Sequence, residues 1–150
     1  MKIIGIFAGM VFFAAIALPQ DREQRTKLIG AWELQTPANG DGTRGWSFDA
    51  KGDTIHVVHT LGGHTVADFE CNTLGKECEV KGAGHKTKVT LWYSGSKLVE
   101  LESKGSEVMK RRFAVQGDDM EMEEIPVVPA GKAETLKFKR AQMAARVNQN

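Results

Sequence analysis

KTKVTLWYSGSKLVELESKGSEVMKRRFAVQGD, residues 86–118, is a tandem of hairpins. Runs at 86–93, 97–103 and 107–115 are rich in β-branched and apolar residues, and Ser94-Gly95-Ser96, Lys104-Gly105-Ser106 and Gln116-Gly117-Asp118 punctuate them. Glycine reaches the positive φ that tight hairpin turns need, so each run is expected to pair antiparallel with the next. The same punctuation extends outward through Asn39-Gly40-Asp41-Gly42, Lys51-Gly52-Asp53, Gly62-Gly63, Thr73-Leu74-Gly75 and Gly82-Ala83-Gly84. Further strand-like runs lie between these turns at 31–36, 44–50, 54–61, 64–71, 77–81, 120–125 and 133–139. This spacing predicts an all-β chain, a single antiparallel meander of about 8 to 10 strands. Helix is expected only at 22–28 and 141–147.

A meander of this length loses both exposed edges by pairing its first strand with its last, which makes a barrel. Barrels of this strand number are wide enough to enclose one small ligand, and a filled core is the alternative.

Composition narrows the partners. The 150 residues carry 20 Lys and Arg against 19 Asp and Glu. No basic excess is available to neutralise nucleic-acid phosphates or to hold an anionic membrane surface. Four Pro and 41% hydrophobic residues do not fit a disordered chain.

Residues 1–17 read as a signal peptide: Lys2 supplies the positive start, 3–18 is an apolar run, and Ala15-Ile16-Ala17 is a small-x-small cleavage site. The alternative, a retained anchor, has a run somewhat short for a membrane span. Cleavage leaves 18–150 as one domain, secreted or periplasmic, without stable membrane insertion. An oxidising compartment then favours a disulfide between Cys71 and Cys78, which flank a polar, Gly-bearing segment and are expected to pin one hairpin. Their spacing is not that of a redox-active Cys-x-x-Cys pair.

Lys27-Leu28-Ile29-Gly30-Ala31-Trp32-Glu33-Leu34 resembles the Gly-x-Trp opening strand of the lipocalins and fatty-acid-binding proteins, the calycin superfamily. The late runs, including Lys110-Arg111-Arg112-Phe113-Ala114-Val115, look like the last hairpins of a fatty-acid-binding-type meander, and exported bacterial lipocalin-like proteins are the nearest likeness. The resemblance implies a lipocalin-like barrel closed at its base by Gly30, Trp32 and a basic residue of the last strand, Arg140 or Lys139, stacked over Trp32 as a cation–π contact. Two departures stand out. The short 37–43 connection leaves no room for the helical lid of fatty-acid-binding proteins, and Leu136-Lys137-Phe138-Lys139-Arg140 lacks their Arg-x-Tyr grip on a carboxylate.

Strand parity puts Met109, Arg111, Phe113 and Val115 on one face, which makes Arg111 a candidate lumenal anchor for a ligand carboxylate or phosphate. Counting against the family's late hairpin selects Arg112 instead, and an outward pairing of both arginines with Glu100, Glu102, Glu121 or Glu123 is the third arrangement. Trp46, Met109 and Phe113 complete the candidate ligand-binding set. Leu34, Phe48, Val89, Leu91, Leu101, Met120, Met122 and Phe138 are expected inside with Trp32.

No metal site is assigned. Across a Gly62-Gly63 turn, His59 and His64 share a face with Asp68 farther along it, and His56 takes the opposite face, so convergent ligands are too few. His85 lies in a separate turn. The Asp118, Asp119, Glu121, Glu123 and Glu124 strip reads as a solvated edge or a loose Ca²⁺ attractor. Ser94-Gly95-Ser96-Lys97 matches a Ser-x-x-Lys string but sits in a turn, and no nucleophile elbow or phosphate loop occurs, so no enzyme and no cofactor are expected. The expected function is binding of a small apolar or amphipathic ligand in the barrel. The alternatives are a filled barrel acting as an envelope or extracellular interaction module, and a weak periplasmic metal binder.

Overall fold

The structure is a computed structural model that describes residues 18–35, 43–80 and 86–141. The signal-peptide segment, His85 and the expected C-terminal helix beyond Ala141 lie outside the described residues. Among the described residues one helix, α1 (Pro19–Leu28), precedes ten strands: β1 (Gly30–Leu34), β2 (Arg44–Lys51), β3 (Thr54–Leu61), β4 (His64–Asn72), β5 (Leu74–Val80), β6 (Thr87–Ser94), β7 (Lys97–Lys104), β8 (Glu107–Gln116), β9 (Asp119–Val128) and β10 (Glu134–Arg140). They form one antiparallel sheet in the order β4-β3-β2-β1-β10-β9-β8-β7-β6-β5.

The first and last strands pair as the meander predicts, Trp32 opposite Arg140 and Leu34 opposite Phe138. Gly95, Gly105 and Gly117 sit at φ 62, 60 and 63°, where their turns need them. Two-residue turns make register arithmetic: opposite residues sum to a constant across each late hairpin, so Leu91, Glu100, Arg111 and Glu124 stand in one row across β6, β7, β8 and β9.

Closure differs from the expectation in one place. The two ends of the sheet order are β4 and β5, so edges remain, and they meet at a seam without a ladder of backbone hydrogen bonds. Only Thr73 separates the two strands. The Cys71–Cys78 disulfide forms, with Cα atoms 5.8 Å apart, but it joins the two edge strands across that seam rather than pinning a paired hairpin.

At one end α1 closes the base. Pro19 at the first turn, Asp21 near the N-terminus and Arg25 and Lys27 in the last turn suit the helix dipole. The helix begins three residues earlier than the sequence implies because Pro19 is pre-set for a first turn. Arg25 donates two hydrogen bonds to the Gly95 carbonyl at 2.9 and 2.6 Å, and its guanidinium lies 4.3 Å from the centre of the Tyr93 ring. Leu28, the last residue of α1, is the helix's buried side chain.

Above it the core is solid. Trp32, Phe48, Phe113, Phe138, Met120 and Met122 are each at most 1% exposed. Phe113 packs edge-on against Phe48 and Trp46, with centroids 5.1 and 5.0 Å apart. Each such side chain contributes roughly 1.5–3 kcal/mol of burial. Leu101 departs from the expected interior set: Leu98 and Glu100 share the inner face of β7, and Leu101 falls on the outer one by parity.

Candidate functional site

The base lock assembles as the resemblance implies, with Arg140 rather than Lys139 in the role. The Arg140 guanidinium lies 3.9 Å from the Trp32 ring centre and donates to the carbonyls of Ile29 and Lys27, tying the last strand to the end of α1. Trp32 Nε1 donates to the Leu28 carbonyl at 2.8 Å. Gly30 adopts φ 127°, and a Cβ placed there would overlap Arg140 Nη1, so the close approach requires glycine.

At the opposite end of the barrel the lumen turns polar. Arg111 points inward with Met109 and Phe113, as parity predicts, because the only irregularity in the β8–β9 register falls between Val108 and Met109 and does not reach Arg111. Arg112, the family-count choice, faces outward, half-exposed and paired with Glu123 at 3.0 Å. The outward arrangement therefore holds for Arg112 alone.

Arg111 is 7% exposed and sits among three carboxylates. Its Nη1 donates to Glu100 Oε1 at 2.6 Å, its Nε donates to Glu124 Oε2 at 3.0 Å, and Glu102 Oε1 lies 3.6 Å from Nη1. Arg44 reaches Glu124 Oε2 from β2 at 3.6 Å. Burial opposes the charge on Arg111, but Glu100, Glu102 and Glu124 outweigh it and hold the guanidinium above its ordinary range. Burial pushes the Glu100 carboxyl up; Arg111 opposes that shift, and Glu102 and Glu124 add to it.

Trp46 floors this cluster. Its ring stacks on His59 at 4.0 Å and on Phe48 at 6.2 Å, and the Arg111 guanidinium lies 5.6 Å from its centre. Burial, reinforced by Arg44 and Arg111, pushes the His59 imidazole down to about 3, so the ring is neutral at physiological pH. Four buried polar atoms of this cluster have no hydrogen-bond partner among the described residues: Arg44 Nε, Trp46 Nε1, His59 Nε2 and Glu100 Oε2. A recess of about 380 Å³ adjoins the cluster, lined by Glu102, Met109, Arg111, Pro126 and Val128 among others. Of the expected ligand set, Met109 and Arg111 line it, Trp46 and Phe113 lie in the packed layer below, and Arg112 is outside.

The metal geometry of the sequence reading does not assemble. A bulge leaves Val66 unopposed, since Thr60 faces Thr65 and His59 faces Ala67. The slip moves Asp68 to the outer face, where its carboxylate meets His56 Nε2 at 2.6 Å, while His59 packs on Trp46 inside and His64 is exposed. No group of three or more metal-binding side chains comes together among the described residues.

Sequence reasoning missed Glu100, Glu124, Arg44 and His59 as lumenal neighbours of Arg111. For the two glutamates the signal was present: a Gly105-Ser106 turn puts residue 100 opposite 111, and a Gly117-Asp118 turn puts 124 opposite 111.

No family model matches the chain, and no curated protein matches it. Solved structures do. A secretory abundant heat soluble (SAHS) protein from Ramazzottius varieornatus superposes with a TM-score of 0.66 at 15% identity, over 77% of this chain and 96% of that one. A structure described as REP1-NXSQ fatty acid transporter gives 0.63 at 20% identity, over 79% and 98%. A Schistosoma mansoni fatty acid binding protein in complex with arachidonic acid gives 0.61 at 18% identity, over 79% and 98%. These likenesses establish the fold.

Proposed function

Because the chain is a nearly closed, calycin-like barrel, we propose that it is an exported, non-enzymatic carrier of a small amphipathic molecule, held at the end of the barrel away from α1. The observation that carries this reading is the buried polar cluster around Arg111 at the side of a recess, with four polar atoms left unpartnered by the described residues. Of that cluster Arg111 and Glu102 line the recess, so a ligand head seated there meets a polar wall that offers both a donor and an acceptor. Met109, Pro126 and Val128 supply apolar wall for the ligand's tail. Solved relatives described as a fatty acid transporter and a fatty acid binding protein support an apolar ligand at a coarse level. Export is supported by the 1–17 signal features and by the seam disulfide. No helix among the described residues is long and apolar enough to cross a membrane.

The test is native mass spectrometry of the mature protein purified gently from its compartment. An organic adduct that leaves on denaturation, and is lost in Met109→Trp but kept in Arg112→Ala, is the expected result. A bare mass that stays bare after lipids are added refutes it. The second reading, a filled barrel that acts as an interaction module, is favoured by one observation: the aromatic layer of Trp46, Phe48 and Phe113 fills the middle of the lumen. It predicts that bare mass.

A further inference from the structure

The lumenal cluster holds two guanidiniums, Arg44 and Arg111, against three carboxylates, Glu100, Glu102 and Glu124. Both cations are already engaged. Arg111 contacts all three glutamates, and Arg44 shares Glu124 with it. At the rim, Lys104 stands opposite Glu107 in register, so the recess gains no excess positive charge there.

A ligand carboxylate entering this site would bring acceptors only, and it would arrive as a further anion beside three others. Inside the barrel such repulsion acts through a low effective dielectric and is screened far less than at the surface. The wall of the recess presents something else: the Arg111 guanidinium donates and the Glu102 carboxylate beside it accepts. A hydroxyl or a primary amide offers both a donor and an acceptor without adding charge.

Resting on the binding reading above, the geometry points to a site that selects an amphiphile with an uncharged hydroxyl or amide head and discriminates against a carboxylate. Arg111 then orients the head through fixed glutamate partners instead of serving as a free counter-ion.

The experiment is isothermal titration calorimetry of the mature protein with 1-decanol and with decanoic acid at pH 7.5. The unmodified protein is expected to bind 1-decanol at least about tenfold more tightly, a difference of about 1.4 kcal/mol. Glu124→Gln removes the carboxylate shared by Arg44 and Arg111, and it is expected to raise decanoate affinity about tenfold. Glu102→Gln, at a partly exposed position, is the second variant and shifts decanoate in the same direction. Decanoate binding that equals or exceeds 1-decanol in the unmodified protein overturns the head-group preference and leaves the carrier function standing. Failure of both ligands to bind overturns both. Unchanged decanoate affinity in the two folded variants overturns the charge-based account of the preference.

Discussion

His59 makes the folded protein pH-sensitive in a direction that its surroundings dictate. The ring faces Trp46 and Arg44 from β2 and Arg111 from β8, and Ala67 stands opposite it on β4. Its folded pKa is pushed down to about 3 from 6.5, because burial and two guanidiniums penalise the imidazolium. The unfolded chain therefore binds the proton first as pH falls. The stabilising contribution is fully present above pH 6.5 and is lost as pH drops towards 3. At pH 5 the unfolded His59 has gained about 1.5 pH units of protonation free energy, which at about 1.36 kcal/mol per unit is about 2 kcal/mol. Water still reaches part of the ring and screens the guanidiniums, which trims the effect to about 1–2 kcal/mol. Glu100 runs the other way, since a raised carboxyl stabilises the folded state at low pH and loses that contribution as pH rises through its folded value. The clean assay is therefore a difference. Urea unfolding of the unmodified protein and of His59→Phe, which keeps a ring on Trp46 but cannot titrate, is measured at pH 8, 7, 6 and 5. The two stabilities are expected to change relative to each other by about 1–2 kcal/mol across that range, with the unmodified protein losing ground in acid. His56, His64 and the carboxylates are common to both chains and cancel. Parallel stability curves, or an imidazole resonance of His59 that titrates near pH 6.5, would refute the buried placement.

Arg111→Ala is expected to cost about 3–5 kcal/mol, because it strands Glu100 in the lumen, whereas Arg112→Ala costs no more than about 1 kcal/mol at its exposed pair; equal losses in urea melts would contradict the assigned faces. Replacing both cysteines by Ser is expected to cost about 2 kcal/mol and to speed amide exchange first in β4 and β5, and an increase spread evenly over the sheet would count against the seam. Gly30→Ala forces a side chain into a left-handed position against Arg140, so a loss of about 1–3 kcal/mol in thermal or urea unfolding is expected, and a neutral result would mean that the base lock does not depend on that approach.

The architecture was legible in the sequence because its turns are short and chemically explicit. Gly95, Gly105 and Gly117 define three hairpins, and from them the rows through Arg111 follow by addition. Gly30, Trp32 and the basic end of the last strand were recoverable from a resemblance, and the structure selects Arg140. Parity alone chose Arg111 correctly as the inward arginine. The failures have physical causes. Leu101 looked interior because it shares with Val99 the more apolar face of β7, yet tertiary placement turns Leu98, Glu100 and Glu102 inward, the two glutamates meeting Arg111. Asp68 was assigned to the wrong face because one bulged residue, Val66, reverses every later side chain of β4. The seam was invisible because an edge is a missing partner, and no residue at Thr73 announces that β4 and β5 fail to pair.

A buried ion pair is a poor way to hold a barrel together. Replacing such a pair with well-packed apolar residues of similar volume is often neutral or stabilising by about 1–4 kcal/mol, so Arg111 and its carboxylates are not what keeps this sheet closed. Closure is accounted for elsewhere: the Arg140–Trp32 lock ties β10 and β1 to α1, the Cys71–Cys78 bridge joins the only two edges of the sheet, and the aromatic layer fills the space between. Those devices lie at the base, the seam and the middle. What the Arg111 row adds is a set of polar atoms held in fixed register beside the recess at the remaining end, with Glu100 and Glu124 fixed on either side of the guanidinium by the two flanking turns. Polar groups held rigidly beside an apolar wall are what the proposed recognition of an amphipathic molecule requires. The same reasoning predicts the separation of effects: substitutions at the base and seam should move stability, and Glu124→Gln and Glu102→Gln should move ligand preference.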